Sequence, residues 1–165
     1  MIDILQFSGL VAKPGHTSGP YVCTSGYYWA SEDTCRSYDI PKPLSFAYPA
    51  YETHPSALPV LKERGYRFAR AGGSRPYDPS HDDPLLIPSY STSGNNKERV
   101  LEAIAQARAG YIVALTIHGV PDFAHPTVTT PPELFKEYLR YMSDHHYTVL
   151  SVRDLARYVG PNNIL

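Results

Sequence analysis

The chain predicts an α/β fold with mostly parallel strands. Short apolar runs alternate with segments of helical period, the returns between many of them are short, and residues 111–117 form a continuous apolar run bounded by Gly110 and by Gly119 and Pro121, as a buried strand would be. Right-handed crossovers between such strands set all their carboxyl ends on one side. A barrel and an open sheet both satisfy this pattern. A complete eight-unit barrel takes roughly 200 residues or more, so 165 residues lack the strands for a full one. There is no internal repeat.

The elements follow in order. Residues 2–7 are a short apolar candidate strand, and the breaker-rich loop 13–20 comes next. The spacing of Tyr28, Trp29, Cys35 and Tyr38 predicts a helix over residues 27–38, with Glu32 and Asp33 in its acidic first turn. Residues 43–49 read as a strand stopped by Pro49, residues 55–64 as a helix closed by Gly65, and residues 66–70 as a strand by alternation. A polar loop over 74–84 leads to residues 85–88, read as a short edge strand, and a second loop covers 89–95. Two long loops in succession point to a functional site. Val100, Leu101, Ile104 and Ala107 define an amphipathic helix over 96–109, with Asn95 or Asn96 as its N-cap. After the run 111–117, Pro131 or Pro132 opens a helix through His145, residues 147–150 form a strand, and residues 151–158 a closing helix.

Composition narrows the function classes. The chain reads as one domain; its hydrophobic content of 42%, charged content of 19% and net charge of -1 offer no electrostatic case for nucleic acid or an anionic membrane as partner. Sixteen Pro and fourteen Tyr suit a loop-rich surface with aromatic walls of the kind polar ring substrates stack against. Cys23 and Cys35 form no C-x-x-C pair and read as reduced thiols. No run has the apolar length of a membrane span and the first ten residues carry no basic leader segment, so the chain as written is expected in the cytoplasm. Self-association is left open.

His118 is the candidate centre. It closes the run 111–117, and the carboxyl end of a strand in an α/β protein faces the crevice where ligands bind. Imidazole there suits general acid–base work, and equally a capped strand end bonded to a loop carbonyl. His125, His145 and His146 read as surface or helix-end groups. Asp82 and Asp83 read as a solvated turn. Arg70 ends a strand and reads either as a carboxylate orienter or as half of an ordinary surface ion pair.

Three segments together resemble the polysaccharide deacetylase family, the group with the NodB-homology domain, over residues 44–159; residues 1–43 are atypical of it. Leu115-Thr116-Ile117-His118 is similar to the family's late Leu-x-Ile/Leu-His motif, Ser45 to Tyr51 stands where the family has Arg-x-Pro-aromatic, and Tyr147 to Leu155 is similar to its last strand and helix. The resemblance implies an incomplete or distorted (β/α) barrel of the deacetylase type. It implies that His118 is the general acid for the leaving amine, that Tyr48, Pro49, Tyr51, Arg70 and Asp122 belong to the substrate pocket, and that a divalent metal of the zinc type serves as cofactor.

The chain departs from the family pattern at several places. Ala47 stands where the motif has arginine, no Thr-Phe-Asp-Asp segment precedes the first loop, where Asp3 is the sole acid, and His16-Thr17 matches only the first half of His-Ser/Thr-x-x-His, with Pro20 in place of the second histidine. His16 is the metal ligand the resemblance assigns, and it reads equally as a loop histidine. Zinc in a catalytic site takes three protein ligands and a water. The resemblance therefore implies a chain that begins inside such a domain. The expected function is metal-dependent hydrolysis of an amide or N-acetyl C–N bond in a carbohydrate or similar substrate, impaired in this chain. The alternatives are an allantoinase-like cyclic amide hydrolase and a non-catalytic remnant or carbohydrate-binding module.

Overall fold

The computed structural model describes residues 2–7, 32, 33 and 35–159, with residues 2–7 described as backbone. Among the described residues six strands carry the fold: β1 (Ile2–Phe7), β2 (Ser45–Ala47), β3 (Phe68–Arg70), β4 (Ser89–Ser91), β5 (Ile112–Ile117) and β6 (Thr148–Leu150). One sheet has the order β4-β5-β1-β6 and the other pairs β2 with β3, every strand pairing being parallel. A single parallel bridge from Arg70 to Ile87 joins the two. The α/β class with parallel strands is thus present. Among the described residues no pairing returns from β6 to β2, so the sheet stays open where a barrel would close.

β5 forms because both of its faces are buried. Ile112 and Ala114 pack with Phe68, Tyr77, Ile87, Val152 and Leu155 on one side. Val113 and Leu115 pack on the other against Val100, Ile104, Tyr138 and Met142 of helices α2 (Lys97–Ile104) and α3 (Pro132–Asp144). A strand so covered needs apolar residues at successive positions rather than alternation. A third cluster seats helix α1 (Ala57–Glu63) on the β2–β3 pair through Ala57, Leu61, Ala69 and Leu85.

Helix ends follow local chemistry. Asn96 caps α2 by accepting the Arg99 N–H at 3.0 Å. That helix ends well before Ala109, because Gln106 and Ala107 turn back on Ala103 and Ile104 with tighter i to i−3 bonds. Pro132 opens α3 and His145 closes it. Ser151 caps the final 3-10 segment, Val152–Arg157, by accepting the Asp154 N–H. Among the described residues no helix is long and apolar enough to cross a membrane. Cys35 is a buried free thiol. Cys23 and half of the helix expected over 27–38 lie outside the described residues, and residues 32, 33 and 35–37 are helical.

Residues 85–95 depart from expectation. Pro84–Leu86 is a 3-10 turn capped by Asp83, which accepts the Leu85 N–H at 2.8 Å, and the strand comes after it as β4. That strand pairs with β5 at one edge of the four-stranded sheet, and Ile87, two residues before it, is bridged to Arg70 of β3. Its serines tolerate burial because their hydroxyls are paired: Ser89 donates to the Ala71 carbonyl at 2.6 Å and accepts from Thr116 at 3.0 Å. Hydropathy alone assigns such residues to a loop.

Asp82 and Asp83 form a turn, as expected, but one tied down by charge. The Asp82 carboxylate takes a two-pronged bond from Arg75, at 2.6 and 2.9 Å, and the Asp78 N–H at 2.8 Å. The Arg75 bond outweighs desolvation and holds the Asp82 carboxyl below the usual carboxylate range. A depressed folded pKa stabilises the fold above the unfolded value, about 3.9, and the contribution disappears as pH falls through the folded value. Asp82→Asn should therefore cost a modest amount at pH 7, under about 1 kcal/mol for so exposed a pair. Urea unfolding midpoints of parent and variant should converge when measured at successively lower pH below about 4.

Candidate functional site

The face of the sheet that carries Ile112 and Ala114 changes character along the strands. With a period of two, Thr116 and then His118 follow them on that face, as Ser89 and Ser91 follow Ile87 and as Arg70 follows Phe68. Apolar packing at the amino ends thus gives way to hydroxyls, an imidazole and a guanidinium toward the carboxyl ends. His118 stands just past the end of β5.

The loop after His118 folds back on it. The His118 Nδ1 is hydrogen-bonded to Asp122 Oδ2. Asp122 Oδ1 accepts the His125 N–H at 2.8 Å, and His125 Nδ1 lies 3.3 and 3.2 Å from the two carboxylate oxygens. The two imidazole rings meet edge to face with centroids 5.1 Å apart. Thr129 fixes Asp122 from behind, its hydroxyl accepting the Asp122 N–H at 2.7 Å. Thr130 N–H donates to the Gly119 carbonyl at 3.0 Å. Thr130 is joined through its hydroxyl to Thr92 at 2.6 Å, and Thr92 in turn donates to the Thr116 carbonyl at 3.1 Å. The loop is therefore bolted to β4 and β5 through buried hydroxyls.

Charge and exposure suit chemistry at this point. The Asp122 side chain is 12% exposed, whereas those of His118 and His125 are 41% and 57% exposed. Desolvation alone would raise the Asp122 carboxyl. The bonds from the His125 N–H and from both imidazoles outweigh it and hold the group below the usual carboxylate range. His118, Asp122 and His125 offer one donor atom each, all within 4.8 Å of one another, a set able to hold a metal ion. His125, read from sequence as a surface group, belongs to this cluster; the signal was its position three residues after Asp122 in the same Pro-flanked loop.

The other expected site residues sit elsewhere on the sheet. Tyr48 is buried in the core beside α1, its ring edge-on to Phe46 at 5.4 Å. Pro49 opens the 3-10 turn that ends at Tyr51, with Ala50 and Tyr51 both in the left-handed region at φ 50 and 62. The half-exposed Tyr51 ring lies over the Arg70 guanidinium at 4.8 Å. A surface ion pair for Arg70 is corrected: it is 6% exposed, and its Nε and Nη1 have no hydrogen-bond partner among the described residues. It closes β3 and is bridged to Ile87 on one side and paired with Ala47 on the other. Tyr51 packs against Gly72, just beyond Arg70. His16 lies outside the described residues.

No family model, curated protein or solved structure matches this chain.

Gly119 makes the return of Asp122 to His118 feasible. A Cβ there would stand 2.7 Å from Asp122 Cβ and 3.1 Å from its Cα, and the backbone contact cannot swing away. Gly119→Ala should lower stability by about 1–3 kcal/mol through overpacking, measured by urea unfolding. It should also remove the downfield proton resonance of the imidazole N–H bonded to Asp122.

Proposed function

We propose that the chain acts in hydrolysis of a C–N bond, an amide or N-acetyl group on a carbohydrate or similar polar substrate, with His118 as proton donor to the departing nitrogen. The observation that carries this reading is the Asp122 carboxylate on His118 Nδ1. An imidazole anchored through one nitrogen has a fixed ring orientation, and its other nitrogen is left to carry the proton that is delivered. The partly exposed position of His118 at a strand's carboxyl end lets a substrate reach that nitrogen.

The division of labour follows from the residues. Amide nitrogen is a poor leaving group until it is protonated, so a positioned acid acts at the moment the C–N bond breaks. Asp122 orients the acid and is itself held by Thr129 and the His125 N–H, so the pair enters the reaction with little reorganisation. In hydrolysis of this class a divalent metal supplies the water of lowered pKa that attacks the carbonyl. The resemblance gives that metal to His16. The described cluster contributes the proton donor, and Tyr51 lies over the Arg70 guanidinium at 4.8 Å.

Acetate release from chitooligosaccharides in the presence of zinc or cobalt tests the reading. His118→Ala should lower turnover by roughly 10²–10⁴-fold, the usual worth of a general acid, with Asp122→Asn lowering it less. Full activity in His118→Ala would remove His118 from the mechanism. Turnover of allantoin in preference to the acetylated sugar would move the substrate to the cyclic amide class.

A further inference from the structure

We infer that His118, Asp122 and His125 form a binding site for a divalent transition metal of the zinc class, a ligand set that does not include the His16 named by the resemblance. Two imidazoles and a carboxylate make up a donor set that such ions take, with a fourth position left for water. Imidazole donors favour zinc, cobalt, nickel or copper over magnesium and calcium, which prefer oxygen.

The geometry goes beyond what aligning an acid requires. A single imidazole needs one carboxylate to orient it, yet here a second ring converges on the same carboxylate. His125 Nδ1 stands 3.3 and 3.2 Å from the two Asp122 oxygens, at the long end for a hydrogen bond. It is close to the separation of about 3.3 Å between neighbouring ligands around a tetrahedral ion with bonds of about 2.0–2.1 Å. His118 Nδ1 and Asp122 sit closer together, as hydrogen-bond partners. A metal displaces the proton of that hydrogen bond and spreads the two atoms to ligand separation.

The surroundings favour binding. Asp122 is fixed by Thr129, His118 is fixed at the end of β5, and the more exposed His125 ring is the one free to adjust as the ion enters. A set held in place by outer hydrogen bonds loses little freedom on ligation. A metal on His118 Nδ1 and the acid role of His118 are alternative uses of one ring.

The test is zinc titration of the whole chain by calorimetry at neutral pH, alongside cobalt titration followed by visible absorption. One ion per chain is expected, with a cobalt d–d band and no thiolate charge-transfer band. His125→Ala and Asp122→Asn should each weaken binding by at least tenfold while circular dichroism and thermal unfolding show the fold retained. His125 is exposed enough for its variant to fold even where Asp122→Asn fails to. Absence of binding tighter than millimolar, equal affinity in His125→Ala, or a thiolate band would overturn the inference. The inference does not rest on the hydrolase reading. Because zinc at the triad occupies His118, acetate release is assayed in His125→Ala: its absence there would sink only the hydrolase, and acetate release without zinc at the triad of the parent chain would sink only this site.

Discussion

Burial of β5 on both faces is the constraint from which the rest of the molecule follows. Because side chains alternate across a strand, the run from Ile112 to Ile117 must satisfy two cores at once: Phe68, Tyr77 and Leu155 on one side, α2 and α3 on the other. A one-residue slip would exchange the two sets and mismatch both. The register is therefore rigid, and His118, one residue past the strand, inherits that rigidity. Proton transfer and metal ligation both depend on positions held to within a few tenths of an ångström.

The polar end of the sheet is built from hydroxyls rather than charges. Ser89, Thr92, Thr116 and Thr130 are all buried, and each finds a partner in a backbone carbonyl or another hydroxyl. Such a network carries the backbone of β4 and β5 into the loop before α3 without an unpaired group. It also explains how Asp122 is brought back beneath His118: Thr130 holds Gly119 and Thr129 holds Asp122. Arg70 is the contrast. It is buried against the Tyr51 ring with Nε and Nη1 unpartnered among the described residues.

Several features were legible in the residues. Gly110 and Gly119 bracket β5, Asn96 caps α2, Pro132 opens α3, and Ser151 caps the last turn. Each is a local signal whose physics involves only a few neighbouring residues. The pairing of His118 with Asp122 also has a local basis, four residues within one tight loop. β4 was not legible, because Ser89, Tyr90 and Ser91 have the hydropathy of a loop and become a strand only through partners supplied by Ala71 and Thr116. The burial of Arg70 was hidden for the same reason.

By itself, then, the sequence determined the types of the elements outside residues 84–91 and the closing 3-10 segment, the parallel α/β class and the placing of an imidazole at a strand's carboxyl end. Periodicity and capping act over a few residues and need no tertiary contact to be read. The tertiary structure alone decided that the sheet stays open, that Ser89–Ser91 pair with β5, that Arg70 is buried, and that His125 joins His118 on Asp122. These depend on strand register and on hydrogen bonds between residues distant in the chain, and such long-range pairing leaves no periodic trace in the order of amino acids.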